Sequence, residues 1–119
     1  MKVVYLAGPY TAPTREGVEA NIARAREYAM ALATREIGFF CPHLNSAHFD
    51  SLVPQVGYEW WIKLYLTMLG RCNAMLVMPG SETSRGVQTE IEYARARLIH
   101  IFYPQDIDDM DRVVKWLGE

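Results

Sequence analysis

Cysteine is scarce in this chain, and so are long apolar runs, glycine/proline-rich linkers and any large surplus of charge. Only Cys41 and Cys72 occur among 119 residues. They form neither a CxxC pair nor a metal-ligand spacing, which argues against a disulfide scaffold or a zinc module. Both read as small buried hydrophobes in a reducing compartment. The first apolar run, Val3 to Ala7, is stopped by Gly8-Pro9 far short of a signal-peptide core or a membrane span. The expectation is a cytoplasmic protein without membrane contact. Twelve Lys plus Arg against fourteen Asp plus Glu leave a formal charge of -2. With no broad basic field, a nucleic acid polymer is not an expected partner.

What is present is apolar content. Half of the residues are hydrophobic, enough for one compact domain over residues 1–119 to bury a core without staples. Val3 to Ala7 is a short continuous apolar run, as expected of a central parallel strand covered on both faces. From Gly17 to Glu36, Ile22, Ala25, Ala29 and Leu32 recur at helical spacing, with Arg24, Arg26, Glu27 and Arg35 opposite them. Gly38 is expected to end this helix, with Phe39-Phe40-Cys41 as a second strand and a polar loop from Pro42 that carries His43, Asn45, His48 and Asp50. Pro54 marks a possible start for the next helix. That helix is apolar over most of its circumference, with Trp60, Trp61, Leu64, Leu66, Met68 and Leu69.

Ala74 to Met78 reads as a third strand, Pro79 to Arg85 as a turn, Gly86 to Arg97 as a helix and Leu98 to Tyr103 as a fourth strand. Asp106, Asp108, Asp109 and Asp111 suit the positive end of a last helix, with Val113, Val114, Trp116 and Leu117 on its inner face. Strands alternating with helices predict an α/β domain. Its sheet would be open and parallel, with four to five strands flanked by helices in three layers, Rossmann-like or flavodoxin-like. Ligands in such sheets bind beyond the carboxyl ends of the strands, near a switch in strand order. Gly8-Pro9-Tyr10-Thr11, Pro42-His43-Leu44-Asn45 and Pro79 to Glu90 all fall there.

Ser84 is an N-cap candidate, and the helix start after it presents backbone N–H groups suited to a phosphate or a sugar-borne anion; an ordinary capped turn is the competing reading. Glu90 lies one turn after Gly86 and one turn before Ala94, on the inward stripe, so it is either a structural acid or a catalytic one. Glu92 is rotated roughly 160 degrees away and serves as its solvated counterpart, within reach of Arg95. Tyr5, within a strand, reads as a core aromatic whose hydroxyl needs a partner. Trp60 and Trp61 fit a core or subunit interface better than a base-stacking platform, and the apolar helix predicts a homodimer or larger homo-oligomer.

Several motifs together carry a resemblance. Val4-Tyr5-Leu6-Ala7-Gly8-Pro9, Asn21-Ile22, Pro42-His43-Leu44-Asn45, and Leu76 to Gly80 leading to Ser84-Arg85-Gly86-Val87-Gln88-Thr89-Glu90 resemble the nucleoside 2-deoxyribosyltransferase-like superfamily, in its small phage and bacterial branch. The resemblance implies cleavage or transfer at the N-glycosidic bond of a nucleoside or nucleoside 5′-monophosphate, without metal or redox cofactor. It implies Glu90 as the nucleophile and Tyr5 as the group that orients it. Gly8, Pro9, Tyr10, His43, Asn45, Ser84, Arg85 and Gly86 would hold the substrate. Two positions depart from the pattern: Tyr65 stands where the superfamily carries an acid that helps the base leave, and Asn73 replaces an Asp before the third strand. Asp50, Glu59, Glu82 and His43 are the available replacements for that acid. The Pro-Gly...Gly...Glu block is also similar to that of Lonely Guy-type nucleotide phosphoribohydrolases. A non-catalytic nucleotide-binding protein and a ligand-free oligomeric scaffold remain as further alternatives.

Overall fold

The computed structural model describes residues 1–118. Its elements run β1 (Val3–Ala7), α1 (Arg15–Thr34), β2 (Gly38–Phe40), α2 (Pro42–Asn45), α3 (Phe49–Leu52), α4 (Tyr58–Gly70), β3 (Ala74–Val77), α5 (Arg85–Ala96), β4 (His100–Phe102) and α6 (Asp111–Leu117). The four strands pair in the order β2-β1-β3-β4, all parallel. This is the flavodoxin-type order, in which the chain reverses its direction of travel across the sheet between β1 and β3.

Strand alternation explains the three layers. On β1, Val4 and Leu6 face one way and pack with Ala25, Tyr28, Ala29 and Leu32 of α1 and Val113 of α6. Tyr5 and Ala7 face the other way, toward Tyr65 and Leu69 of α4 and Val87, Ile91 and Ala94 of α5. β1 and β3 are both central and covered on both sides, so their sequences read as unbroken apolar runs instead of alternating ones.

Several boundaries differ from expectation. α1 ends at Thr34, before Gly38: Glu36 takes a left-handed φ of 57°, its N–H donates to the Ala33 carbonyl and that of Ile37 to Leu32. These two bonds satisfy carbonyls that the helix leaves open, so the stop precedes the glycine. Gly38 instead begins β2, where a Cβ would come within 2.8 Å of the Lys2 carbonyl oxygen. The polar stretch after Pro42 is two single helical turns, α2 and α3. Pro54 begins no helix. It follows Val53 in a turn closed by the Val56 N–H on the Val53 carbonyl, and α4 starts after Gly57. Of the four late aspartates only Asp111 lies in α6, while Asp106 and Asp109 accept bonds from the Asp108 and Gln105 N–H groups in the preceding turn. Val114 points outward, 45% exposed, and Val113 alone on α6 is buried. No described helix is long and apolar enough to cross a membrane.

Candidate active site

The reversal between β1 and β3 opens a cleft of about 880 Å³ at the carboxyl ends of those strands, a volume in the range that accepts a small-molecule ligand. Its floor comes from β1 and the first turns of α5, one wall from the Gly8–Thr11 segment, and the other from α2, α3 and the start of α4.

Ser84 caps α5, its hydroxyl accepting from the Val87 N–H at 3.3 Å. Ser81, buried just before it, donates to the Met78 carbonyl at 2.6 Å and ties the turn back to the end of β3. The turn is also held by Arg24 of α1, whose guanidinium donates to the Pro79 carbonyl. From this fixed start, helical rotation brings Glu90 inward, onto the same face as Val87, Ile91 and Ala94. The carboxylate is 8% exposed and accepts a hydrogen bond at Oε2 from the Tyr5 hydroxyl. Tyr5 itself is fully buried behind it and contributes nothing to the cleft wall.

Burial dominates the electrostatics of this pair. It pushes the Glu90 carboxyl from 4.5 up to about 7, and the Tyr5 hydrogen bond works in the opposite direction. Burial and the adjacent Glu90 charge raise the Tyr5 phenol, which therefore stays protonated as a donor. Glu92, on the same helix, is exposed as expected, and Arg95 donates to the Tyr103 hydroxyl at 3.4 Å instead of pairing with it.

Gly8, Pro9, Tyr10, His43, Ser84, Arg85 and Gly86 all line the cleft with Glu90. A Cβ on Gly8 would overlap the Met78 side chain, whereas one on Gly86 would meet only the Tyr58 hydroxyl, at 3.8 Å. A side chain at Gly8 would have to displace the Met78 thioether end, whereas at Gly86 the missing side chain leaves open room in the cleft. Arg85 is exposed at the rim and enters no ion pair among the described residues. Asn45 does not line the cleft; it stands exposed behind Tyr65, donating to that hydroxyl at 3.2 Å.

His43 is buried, and its Nε2 lies 2.8 Å from the Pro9 carbonyl oxygen. A carbonyl only accepts, so Nε2 carries the proton and the ring clamps the wall after β1. Burial lowers the pKa of His43, and its Nδ1 has no hydrogen-bond partner. The Asn21 side chain donates to the Tyr10 carbonyl at 3.0 Å, fixing the same wall from α1. Asn73 accepts from the Val3 N–H at 2.7 Å and so ties the chain before β3 to the start of β1.

Sequence reasoning left out much of the aromatic wall. Trp61 is partly buried in the cleft, stacked on Tyr65 at 6.3 Å and edge-on to Phe49 at 5.9 Å. Trp60, by contrast, is 54% exposed. Tyr58, Phe49, Asp50 and Ser46 complete that side, and the Tyr65 hydroxyl is bonded to Ser46 Oγ. The available signal was the Trp61–Tyr65 spacing of four, which puts both rings on one helical face. Among the described residues no group of three or more His, Cys, Asp or Glu is arranged to hold a metal ion. A search among curated proteins finds no match. Residues 2–104, which include every residue of the cleft, match the family described as a domain of unknown function, DUF7768, and the chain belongs to that family.

Proposed function

We propose that the protein cleaves, or transfers a base at, the N-glycosidic bond of a nucleoside or nucleoside 5′-monophosphate. The observation that carries this reading is a single buried carboxylate, Glu90, held by the Tyr5 hydroxyl at the floor of an open cleft walled by aromatic rings on one side and a capped helix start on the other. Glu90 attacks C1′ as the base departs, forming a glycosyl ester that water or a second base then resolves; two displacements give net retention at C1′. Tyr5 donates to one carboxylate oxygen and leaves the other to react. Trp61 offers a face for a base, and Ser84, Arg85 and Gly86 offer a positive helix end and a cation for a phosphate.

The reading is supported further by the motifs shared with the nucleoside 2-deoxyribosyltransferase-like superfamily. We further propose a reducing, cytoplasmic location for the chain, a reading supported by the free thiols Cys41 and Cys72. We also propose that it works as a homodimer, because exposed aromatic and aliphatic side chains cluster beside the cleft mouth. The test is incubation with a panel of ribo- and deoxyribonucleosides and their 5′-monophosphates, with released base measured by chromatography. Base release by the wild-type protein that Glu90→Gln abolishes is the expected result. Nucleotide binding in calorimetry without release would favour a non-catalytic binder, and release confined to ribonucleoside monophosphates would favour a phosphoribohydrolase of the Lonely Guy kind.

A further inference from the structure

A base leaving from C1′ carries away the bonding electron pair and needs a proton on its nitrogen. On the glycosidic reading above, Glu90 is committed to C1′ and Tyr5 to Glu90, so the proton must come from a different group in the same cleft. Four candidates follow from the sequence once Tyr65 occupies the customary acid position. Glu59 and Glu82 do not line the cleft. His43 does, but its only ring proton is given to the Pro9 carbonyl, and Nδ1 is shut away from solvent without a partner. Asp50 remains, the one carboxylate besides Glu90 in the cleft wall.

Its position is built. His48 adopts a left-handed backbone with φ of 65° and turns the chain into α3, which carries Asp50 to the mouth. The same residue's N–H donates to the Tyr10 hydroxyl at 2.8 Å, and that hydroxyl donates to Asp50 Oδ1 at 3.1 Å. His48 is held in turn by Glu19 of α1, Nε2 to Oε1 2.7 Å. One carboxyl oxygen of Asp50 is thus tied and the other is left for a ligand, while Phe49, its neighbour on α3, packs edge-on against Trp61. The relay from α1 through Tyr10 holds the start of α3 and, through the Tyr10 hydroxyl, reaches the exposed carboxylate of Asp50.

We infer that Asp50 is the general acid and base of the reaction, a role that rests on the glycosidic function proposed above. In the first step a Glu90 oxygen bonds to C1′ while the C1′–N bond breaks. The electron pair stays on the base nitrogen, which takes the proton of the Asp50 carboxyl. In the second step water attacks C1′, the Asp50 carboxylate takes the water proton, and the C1′–O bond to Glu90 breaks. Both carboxyl groups return to their starting states, and the net change is nucleoside plus water to free sugar plus neutral free base.

The experiment compares two leaving groups on one sugar: the nucleoside or nucleotide that the wild-type protein cleaves, and the 4-nitrophenyl glycoside of its sugar, whose nitrophenolate departs without a proton. In single turnover, Asp50→Asn is expected to slow base release by about 100-fold or more, the usual scale of lost acid catalysis, while nitrophenolate release stays close to the wild-type rate. Asp50→Glu should restore part of the nucleoside rate, and Glu90→Gln should lose both substrates. Equal slowing of both substrates by Asp50→Asn, or slowing of neither, overturns the assignment of Asp50 and leaves Glu90 as the nucleophile. No Glu90-dependent base release from any substrate overturns the glycosidic reading and the role of Asp50 with it.

Discussion

Glu90 imposes a cost on the fold whose pH dependence has a definite sign. Burial raises its pKa from 4.5 to about 7. Across that window the folded chain keeps a proton that the unfolded chain releases, so this group makes stability fall as pH rises. Its contribution vanishes below pH 4.5 and is complete above about 7, where it amounts to about 3 kcal/mol at about 1.4 kcal/mol per pH unit. Glu90→Gln keeps the shape without the charge. Relative to wild type it should be more stable at pH 8 and equal at pH 4, as read from urea midpoints with an unchanged denaturant slope. A constant difference between the two proteins across pH would mean that the carboxyl is well solvated. Tyr5→Phe removes the donor that favours the carboxylate, so in the base-release assay the rising acid limb should move to higher pH than in wild type. The inward direction of Glu90 is legible in sequence because Gly86, Glu90 and Ala94 stack at successive turns. Asp50 is not, because a left-handed His48 and a hydroxyl from forty positions upstream set its place.

Helix ends repeat a device that sequence reading passes over. α5 stops as α1 does: Leu98 takes a left-handed φ of 59°, its N–H donates to the Arg95 carbonyl and that of Ile99 to Ala94. The usual residue at such a site is glycine, and here a 93% exposed leucine occupies it. The left-handed backbone costs a non-glycine residue about 1–2 kcal/mol, against which glycine's greater freedom in the unfolded chain returns about 0.5–1 kcal/mol. Leu98→Gly should therefore stabilise the protein by about 0.5–1 kcal/mol, visible as a higher urea midpoint; a lower midpoint would show that the Leu98 side chain contributes packing. The long helices and the central strands can be read in the sequence because periodicity over many residues averages out local exceptions. α2 and α3 cannot: a single turn does not nucleate alone, and these turns exist through contacts with Tyr10, Pro9 and Tyr65. The part of the cleft's second wall built by α2 and α3, with Ser46, Phe49 and Asp50, is hard to read for the same reason.

On the scale of the whole molecule, exposed apolar side chains such as Met30, Leu98 and Val114 are spread over the surface, but four of them fall together on α3 and the start of α4. Phe49 and Leu52 on α3 and Tyr58 and Trp60 on α4 are 39%, 69%, 64% and 54% exposed, and Phe49 and Trp60 both rest on Trp61. Scattered apolar residues need no explanation, but a group assembled around one partly buried tryptophan at a cleft mouth is an expected contact surface. A patch of this kind that packs against its own copy closes a two-fold dimer, and a stable one needs on the order of 800 Å² from each partner. Light scattering at micromolar concentration should give about twice the chain mass of 13.6 kDa. Trp60→Lys should give the single mass without loss of helical signal, since that ring faces outward and supports no core. A wild-type mass of one chain would leave the patch to a different partner and make the cleft complete within a single subunit. A dimer that survives Trp60→Lys would instead place the contact elsewhere, the exposed edge of β4 being the next surface to substitute.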